Sequence, residues 1–328
     1  CGLPVRLCRG GRSALSAWGQ RRCSLIDRSS WPTETEVAVW LDKARAMQVG
    51  VIGERIVDEY VWVQPEGRSA KESYVTWRRD GLDRFPGGST AVYFHIREYV
   101  DNLSFISDQC PVLVKTRYVE RAFVHKVFSL VSETSVPPMQ ERKLVPSDLL
   151  VVADYGHGYI TKWAATWLQS TGRQIALTVQ ANSLNWGLNT IRKWTSCFYF
   201  VVDRQELALA RRDQVHLADE AALADEMARM GASYGALTLG HEGVLMVDAS
   251  GASVRFPALS QTVVDRIGAG DAFLAWSAPL LNVGAPLAVA GLVGSIASGI
   301  QVGIIANSRP VTLNEVKRRL REVITSTS

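Results

Sequence analysis

The segment 263–273 holds the residues whose types and spacing best suit chemistry. Gly268-Ala269-Gly270 carries almost no side-chain bulk, so its backbone N–H groups can approach an anion closely. The apolar run from Ala272 predicts a helix, and a helix N-terminus presents unpaired N–H groups and the positive end of its dipole. Asp271 stands beside this predicted anion site, where a carboxylate can take a proton from a hydroxyl that attacks a phosphate.

The same residues also have a purely structural interpretation. Asp271 can cap the helix while the glycines only make the turn, and aspartate is a preferred helix-capping residue. Val263 and Val264 are β-branched and predict the end of a strand, after which Asp265 and Arg266 begin the turn. This strand–turn–helix context, late in the chain, favours the chemical role of Asp271.

The elements that must position this turn alternate along the chain. Continuous apolar runs at 148–153 and 197–202 are typical of buried parallel strands, and amphipathic helical segments follow them. The alternation predicts an α/β fold, with a doubly wound, mostly parallel sheet flanked by helices. Two weakly alternating sections, about 56–77 and 112–131, predict a small β lid. Ligand sites in such folds lie in the loops at the carboxyl ends of the strands.

The sequence from Asp265 to Asp271 resembles the signature of the ribokinase-like (PfkB) carbohydrate kinases, Asp-Thr-x-Gly-Ala-Gly-Asp, with Arg266 in place of the threonine. Further matches run from about Met47 to the end of the chain. They are most similar to the heptose-phosphate kinases and to sugar kinases fused to a nucleotidyltransferase. The resemblance implies ATP-dependent phosphorylation of a sugar or sugar phosphate, with Asp271 as general base and the turn at 268–270 as anion hole.

The resemblance also implies a set of substrate-binding residues. Asp58, after the first strand, would bind sugar hydroxyls, and Gly87-Gly88 would open a helix against the sugar. Lys115 and Arg117 would face a substrate phosphate, because alternating residues share one face of a strand. Each has a plain structural alternative, as a loop acid, a turn or solvated lid charges. Three more candidates follow later strands: Asp154, Gln180 and Asn182.

Nucleotide and metal positions are implied in the last third of the chain. Asp203 and Glu206 match the family pattern Asn-x-x-Glu, which organises Mg²⁺ and phosphate, and they also fit a helix-capping box. The other nucleotide-binding candidates are Thr238, Gly240, Gly243, Asp265 and Arg266. A residue of the helix from about Pro286 would pack on the adenine, and the candidates there are Ala290, Val293 and Ala297. The implied cofactors are ATP and Mg²⁺.

Composition argues against several other classes of protein. The 328 residues are 47% hydrophobic and 21% charged, and the net charge of +4 is too small to indicate nucleic-acid binding. The odd number of cysteines, five, without a CxxC pair favours reduced thiols in a cytoplasmic protein. The small-residue run at 278–306 is long enough to span a membrane, but Asn282, Gly284 and Pro286 interrupt it, which favours two core helices and no membrane contact.

Two features concern domain organisation. Residues 1–47 predict a basic extension or linker plus a lead-in helix, with an organelle transit peptide as the less favoured alternative, and 48–328 a kinase domain. Compared with the family, about one βαβ repeat is missing after Ser107, and the asparagine usual after Gly88 is absent. These departures, with Asp203, leave open a pseudokinase that serves as a binding or dimerisation module of a nucleotidyltransferase fusion. The resemblance implies a homodimer through the β lid.

Overall fold

A computed structural model describes residues 25–131 and 136–325. Its strands are β1 Gln48–Gly53, β2 Arg55–Arg68, β3 Val75–Gly88, β4 Asn102–Phe105, β5 Val112–Glu120, β6 His125–Val131, β7 Leu149–Asp154, β8 Gln174–Val179, β9 Tyr199–Asp203, β10 Tyr234–Thr238, β11 Val244–Asp248 and β12 Ser253–Phe256. Its α-helices are α1 Glu34–Arg45, α2 Ser89–Arg97, α3 Lys162–Ser170, α4 Arg204–Arg211, α5 Glu220–Met230, α6 Ala269–Asn282, α7 Leu287–Gln301 and α8 Leu313–Thr325.

The main sheet has eight strands in the order β12-β11-β10-β9-β8-β7-β1-β4. The strands from β10 to β4 are parallel, while β11 and β12 run antiparallel at one edge. All six residues of β7 are buried, as expected for a central strand covered on both faces. This is the predicted doubly wound α/β architecture, and it brings the loops after β1, β7, β8, β9 and β10 to one edge.

Helices α6 and α7 pack against each other and against the sheet, as the sequence predicted for the small-residue run. Gly294 shows why small residues are needed, because a Cβ there would lie 2.9 Å from the ring of Phe273. In the part of the chain that the structure describes, none of the helices combines the length and apolar character that a membrane span requires.

The β lid is a second sheet in the order β3-β2-β5-β6. Its first section is longer than predicted, since β3 continues past residue 77 to Gly88. The register of β2 and β5 places Asp58 opposite Lys115 and Tyr60 opposite Arg117. Because residues directly opposite one another share a face, these four side chains lie on one side of the lid.

One local prediction needs correction. Residues 257–264, directly before the turn Gly268–Gly270 (called the signature turn below), contain no strand: the N–H groups of Val264 and Asp265 donate to the carbonyl of Val302 instead of to a neighbouring strand. The predicted lead-in helix is present as α1, and its Val37 and Leu41 are buried in the core shared with the main sheet.

Other expectations lie partly outside the described residues. Of the cysteines, Cys110 and Cys197 are free and buried, whereas Cys1, Cys8 and Cys23 belong to the segment that is not described, as does most of the basic extension. Between β4 and β5 the chain makes only a 3₁₀ turn, Ile106–Gln109, so residues 106–111 contain no additional helix–strand unit.

Candidate functional site

Two adjoining cavities open at the carboxyl edge of the main sheet, each of about 490 Å³. The first, the lid-side cavity, lies under the β lid, and the second extends toward β11 and α7. Five residues line both cavities, namely Asp203, Thr238, Arg266, Ala269 and Gly270. The signature turn therefore stands where the two cavities meet, so that one ligand in each would be in contact at this turn.

The signature turn is held by tight steric constraints. Gly268 has φ of +82° and caps α6, a conformation that glycine adopts without strain. A Cβ at Gly268 would lie 2.2 Å from Oδ1 of Asn307, so no larger residue fits without displacing that side chain. The N–H groups of the first turn of α6 have no intrahelical acceptor and lie beside the first cavity. The turn can therefore hold a phosphoryl group.

Asp271 lies in the first turn of α6 and lines the lid-side cavity. Its Oδ1 accepts a hydrogen bond from the hydroxyl of Tyr155 at 2.8 Å. Burial, with a smaller contribution from the Asp58 carboxylate, raises the pKa of Asp271 to about 6, although the Tyr155 hydrogen bond opposes that rise. A carboxylate with this pKa is ionised at neutral pH and is a stronger base than an ordinary aspartate.

The lid contributes four charged side chains to the same cavity, namely Asp58, Lys115, Arg117 and Lys126. Asp58 is almost fully buried and forms an ion pair with Arg117. Gly87 makes room for this acid, because a Cβ at Gly87 would lie 2.6 Å from Asp58 Oδ2. Lys115 forms no ion pair with any described carboxylate, and its nearest aromatic contact is the ring of Tyr155, 6.0 Å from Nζ. Burial lowers the pKa of Lys115.

The capping box predicted at the start of α4 is present. Asp203 accepts from the N–H of Glu206 at 2.7 Å, and Glu206 accepts from the N–H of Asp203 at 2.9 Å. Both carboxylates also line the lid-side cavity. Burial and the neighbouring Asp203 charge raise the pKa of Glu206 to about 8, so a nearby cation would stabilise its ionised form. The structural and functional interpretations of this pair are therefore compatible.

The second cavity is lined by most of the predicted nucleotide positions, including Thr238, Gly240 and Gly243. Gly243 has φ of +95°, and a Cβ there would lie 2.0 Å from the carbonyl oxygen of Phe256. From α7 the lining residues are Ser295, Ser298 and Gly299. The prediction for this helix was wrong in detail, because Ala290, Val293 and Ala297 lie on its other faces and are buried in the core.

Three predicted site residues have structural partners instead of lining a cavity. Asp154 is fully buried and bonds Lys193 Nζ at 2.5 Å and Trp194 Nε1 at 3.2 Å. The Asn182 side chain donates to the carbonyl of Tyr155 at 3.0 Å. Asp265 is buried beneath the signature turn. All three residues therefore support the residues that line the cavities and do not line a cavity themselves.

Asp265 connects the lid to the signature turn. Its carboxylate accepts from Tyr60 Oη of β2 at 2.5 Å, from Lys126 Nζ of β6 at 2.7 Å, and from the N–H groups of Ile267 and Ala306, both at 3.1 Å. Although burial acts in the opposite direction, the bonds from Lys126 and Tyr60 hold the pKa of Asp265 below its ordinary value. A charged aspartate thus links two strands of the lid to the signature turn.

Sequence reasoning missed several residues of the site, among them Tyr155, Lys126 and Asn307. Tyr155 follows Asp154 directly, and its position after a buried strand was a usable signal. Lys126 lies on a predicted lid strand, where nothing distinguishes it from a solvated lysine. Asn307 follows the last core helix, and no local pattern indicates its contact with Gly268.

The model of the pfkB family of carbohydrate kinases matches residues 137–304. The chain belongs to this family. Its members are phosphotransferases, and the match includes the signature turn, α4 and the core helices. A curated relative, the bifunctional protein HldE of Rhodospirillum rubrum, is 33% identical over 161 residues, which are 48% of this chain. The matched part is only 32% of the length of that relative.

Solved structures share the fold at low sequence identity. Ribokinase from Thermotoga maritima has a TM-score of 0.62 with 17% identity, over 84% of this chain and 99% of its own. Phosphofructokinase-2 from Escherichia coli has a TM-score of 0.62 with 12% identity, over 85% and 99%. Ribokinase from Arabidopsis thaliana, solved with ribose and ATP, has a TM-score of 0.60 with 14% identity, over 85% and 99%. These similarities establish the ribokinase-like fold.

Proposed function

We propose that this protein transfers the γ-phosphoryl group of ATP to a hydroxyl of a sugar phosphate, with a heptose phosphate as the favoured substrate. One observation supports this most directly: Asp271 and the lid cations line the cavity under the lid, and the signature turn lies where that cavity meets the second one. The sugar would occupy the cavity under the lid and the nucleotide the cavity between β11 and α7. A heptose is favoured because the lid strand with Lys115, Thr116 and Arg117 resembles the corresponding strand of the heptose-phosphate kinases.

In the proposed reaction Asp271 accepts the proton of the attacking sugar hydroxyl. The sugar oxygen forms a bond to the γ-phosphorus, and the bond between that phosphorus and the bridging oxygen of ADP breaks. The N–H groups at Ala269 and Gly270, together with Arg266, would stabilise the negative charge on the transferring group. Asp58 would accept hydrogen bonds from sugar hydroxyls, while Gly88 and Gln180 form part of the same wall.

The charge distribution under the lid supports a phosphorylated sugar. Arg117 already pairs with Asp58, whereas Lys115 is an ammonium group with no carboxylate partner in the described chain. A partly buried cation without a counter-charge is costly, and a phosphate of the substrate would neutralise it. A neutral sugar would leave this cost in place.

Mg²⁺ fits the residues at the start of α4. Residues 25–131 and 136–325 contain no cluster of three or more His, Cys, Asp or Glu side chains suited to a metal ion. Mg²⁺ commonly binds through one or two carboxylates, several waters and the substrate phosphates, and Glu206 with Asp203 offers that donor set. When bound, the ion would neutralise phosphate charge, and Glu206 would hold it through water.

An ATP-consumption assay over a panel of hexose and heptose phosphates tests the proposal. Asp271→Asn should lower kcat by about 10²–10⁴-fold, the usual contribution of a general base, while ATP still binds. Asp42→Asn removes an exposed carboxylate of α1 and serves as the matched control with unchanged kcat. An Asp271→Asn protein that turns over at the wild-type rate would rule out the assigned base.

The alternative is a pseudokinase that binds nucleotide without phosphoryl transfer. The direct passage from β4 to β5 favours it, since one wall of the sugar pocket is shorter than the family pattern implies. The segment Ser89-Thr90-Ala91 replaces the asparagine of the family. Ser89 is fully buried, and its hydroxyl lies 3.0 Å from the carbonyl oxygens of both Gly53 and Glu54, which share its one proton. Calorimetric ATP binding combined with no turnover across the whole panel would favour this alternative.

We further propose that residues 48–328 form the kinase domain, with α1 packed on it, and that two copies pair through their lids. The lid face opposite the cavity carries Val112, Phe128 and Leu130, which are 40%, 47% and 54% exposed. Apolar residues this exposed on one sheet face suit a second copy of the same surface. Phe128→Lys should halve the mass measured by light scattering if the pairing occurs, and an unchanged mass would contradict it.

A further inference from the structure

Tyr155 is the residue in direct contact with the proposed base. It follows β7 and is 3% exposed, and its hydroxyl donates to Asp271 Oδ1 at 2.8 Å. The two residues are 116 positions apart, so the contact is created only by the fold. Neither the family match nor the sequence pattern assigns a role to this side chain.

The backbone of Tyr155 is fixed on both sides. Its N–H donates to Glu54 Oε2 at 2.9 Å, and its carbonyl accepts from the side-chain amides of Asn182 and Asn185, each at 3.0 Å. Glu54 also accepts from the N–H of His157 at 3.2 Å. Three side chains, those of Glu54, Asn182 and Asn185, thus hold the backbone from which the Tyr155 ring projects.

Burying the polar groups that hold Tyr155 costs free energy. Glu54 is fully buried, and burial together with the nearby Asp154 charge raises its pKa. Buried polar groups are tolerated when fully bonded, and such networks tend to specify a single arrangement. The network therefore has the physical character of a support that orients the tyrosine.

The phenol suits the task of holding a carboxylate. Burial raises the pKa of Tyr155 well above its ordinary value, so the hydroxyl stays protonated and donates throughout the neutral range. Since it bonds only Oδ1 of Asp271, the second carboxylate oxygen is left to accept a proton. A hydrogen bond to the ionised form also keeps that form populated.

We propose that Tyr155 is the positioning residue for Asp271, directing one carboxylate oxygen toward the sugar hydroxyl and keeping the base ionised. This inference rests on the proposed function, because Tyr155 acts through the base and not on the substrate. Three other charged side chains interact electrostatically with Asp271, namely Asp58 of β2, Lys115 of β5 and Glu206 of α4. All of them are retained in the test.

Tyr155→Phe removes only the hydroxyl. The acid limb of the pH profile of kcat/KM should move upward by about one pH unit, since a hydrogen bond to a charged group has about this effect. If the pKa of Asp271 moves from about 6 to about 7, its ionised fraction at pH 6.5 falls about threefold. The kcat should therefore fall about threefold at pH 6.5 and much less at pH 8.5, where Asp271 is ionised in both proteins. The KM values for ATP and sugar phosphate should stay within about twofold.

Tyr99→Phe is the matched control. Its hydroxyl donates to the carbonyl of Ala275, also at 2.8 Å and also on α6, but it does not touch Asp271. A variant that merely loosens α6 would lower stability without moving the pH profile. Superimposable profiles for Tyr155→Phe and wild type would overturn the inference.

Asp271→Asn distinguishes this failure from failure of the proposed function. If Asp271→Asn loses turnover but Tyr155→Phe leaves the profile unchanged, only the positioning role is wrong. If Asp271→Asn remains active, the base itself is wrong. When the role is correct, adding Tyr155→Phe to Asp271→Asn should cause no further loss in kcat, because residues that act through each other are non-additive.

Discussion

The contact between Lys126 and Asp265 allows the link between the lid and the signature turn to be tested. Lys126→Met keeps the length of the side chain and removes its charge. The Asp265 side chain is fully buried, while that of Lys126 is 35% exposed. The substitution therefore leaves a buried carboxylate with its three other donors, Tyr60, Ile267 and Ala306.

The size of the effect follows from these contacts. Removing one partner of a fully buried ion pair costs about 3–5 kcal/mol. The three remaining donors and the partial exposure of Lys126 reduce this, so we expect a loss of about 1–3 kcal/mol in the free energy of unfolding. Because Asp265 also fixes the N–H of Ile267 next to the anion hole, kcat should fall about tenfold, equivalent to about 1.4 kcal/mol.

Urea unfolding and steady-state kinetics measure the two effects separately. The pKa of Asp265 is lowered in the folded protein, so the pair stabilises fully at neutral pH. The difference between variant and wild type should be present at pH 7 and shrink as the pH falls below about 4. Lys71→Met, in the exposed turn of the same lid, is the matched control with unchanged behaviour.

Two results would refute this reasoning. A Lys126→Met protein with the wild-type urea midpoint would mean that the ion pair contributes nothing to folding. A destabilised variant with unchanged kcat would mean that the signature turn is held without help from the lid.

Three further predictions concern the site. Gly268→Ala should lower kcat by more than about tenfold, because the backbone has φ of +82° and the new Cβ would meet Asn307 at 2.2 Å; a folded, fully active variant would contradict the anion hole. The kcat/KM of the wild type should fall tenfold per pH unit below about 6, as Asp271 becomes protonated, and a flat profile down to pH 5 would exclude it as base. Lys115→Met should raise KM for sugar phosphates about tenfold or more but leave KM for unphosphorylated sugars unchanged, and equal effects on both would argue against a phosphate contact.

Much of the fold was predictable because its signals are local. The apolar run of β7 and the small-residue run of α6 and α7 reflect burial, which each segment carries in its own composition. The glycines of the signature turn were recognisable for the same reason, since their backbone requirement lies within a few residues. The absence of a strand before Asp265 was not predictable, because its backbone partner, Val302, is remote in sequence.

The candidate site was only partly predictable. Asp58, Asp154 and Asp265 look alike in the sequence, as acids at a strand end or turn. The fold pairs each acid with a cation, namely Arg117 for Asp58, Lys193 for Asp154 and Lys126 for Asp265, but of the three only Asp58 lines a cavity. Whether an acid can contact a ligand or only supports the structure depends on whether the packed fold leaves it beside a cavity, and no local pattern records that.

The sequence by itself determined the α/β class, the kinase family and the turn at 268–270, because periodicity, apolar content and glycine spacing act over short distances. Only the tertiary structure decided that Tyr155 meets Asp271 and that the lid is tied to the anion hole through Asp265. Those contacts join segments more than a hundred residues apart, and their geometry exists only after the sheet, the lid and the core helices have packed together.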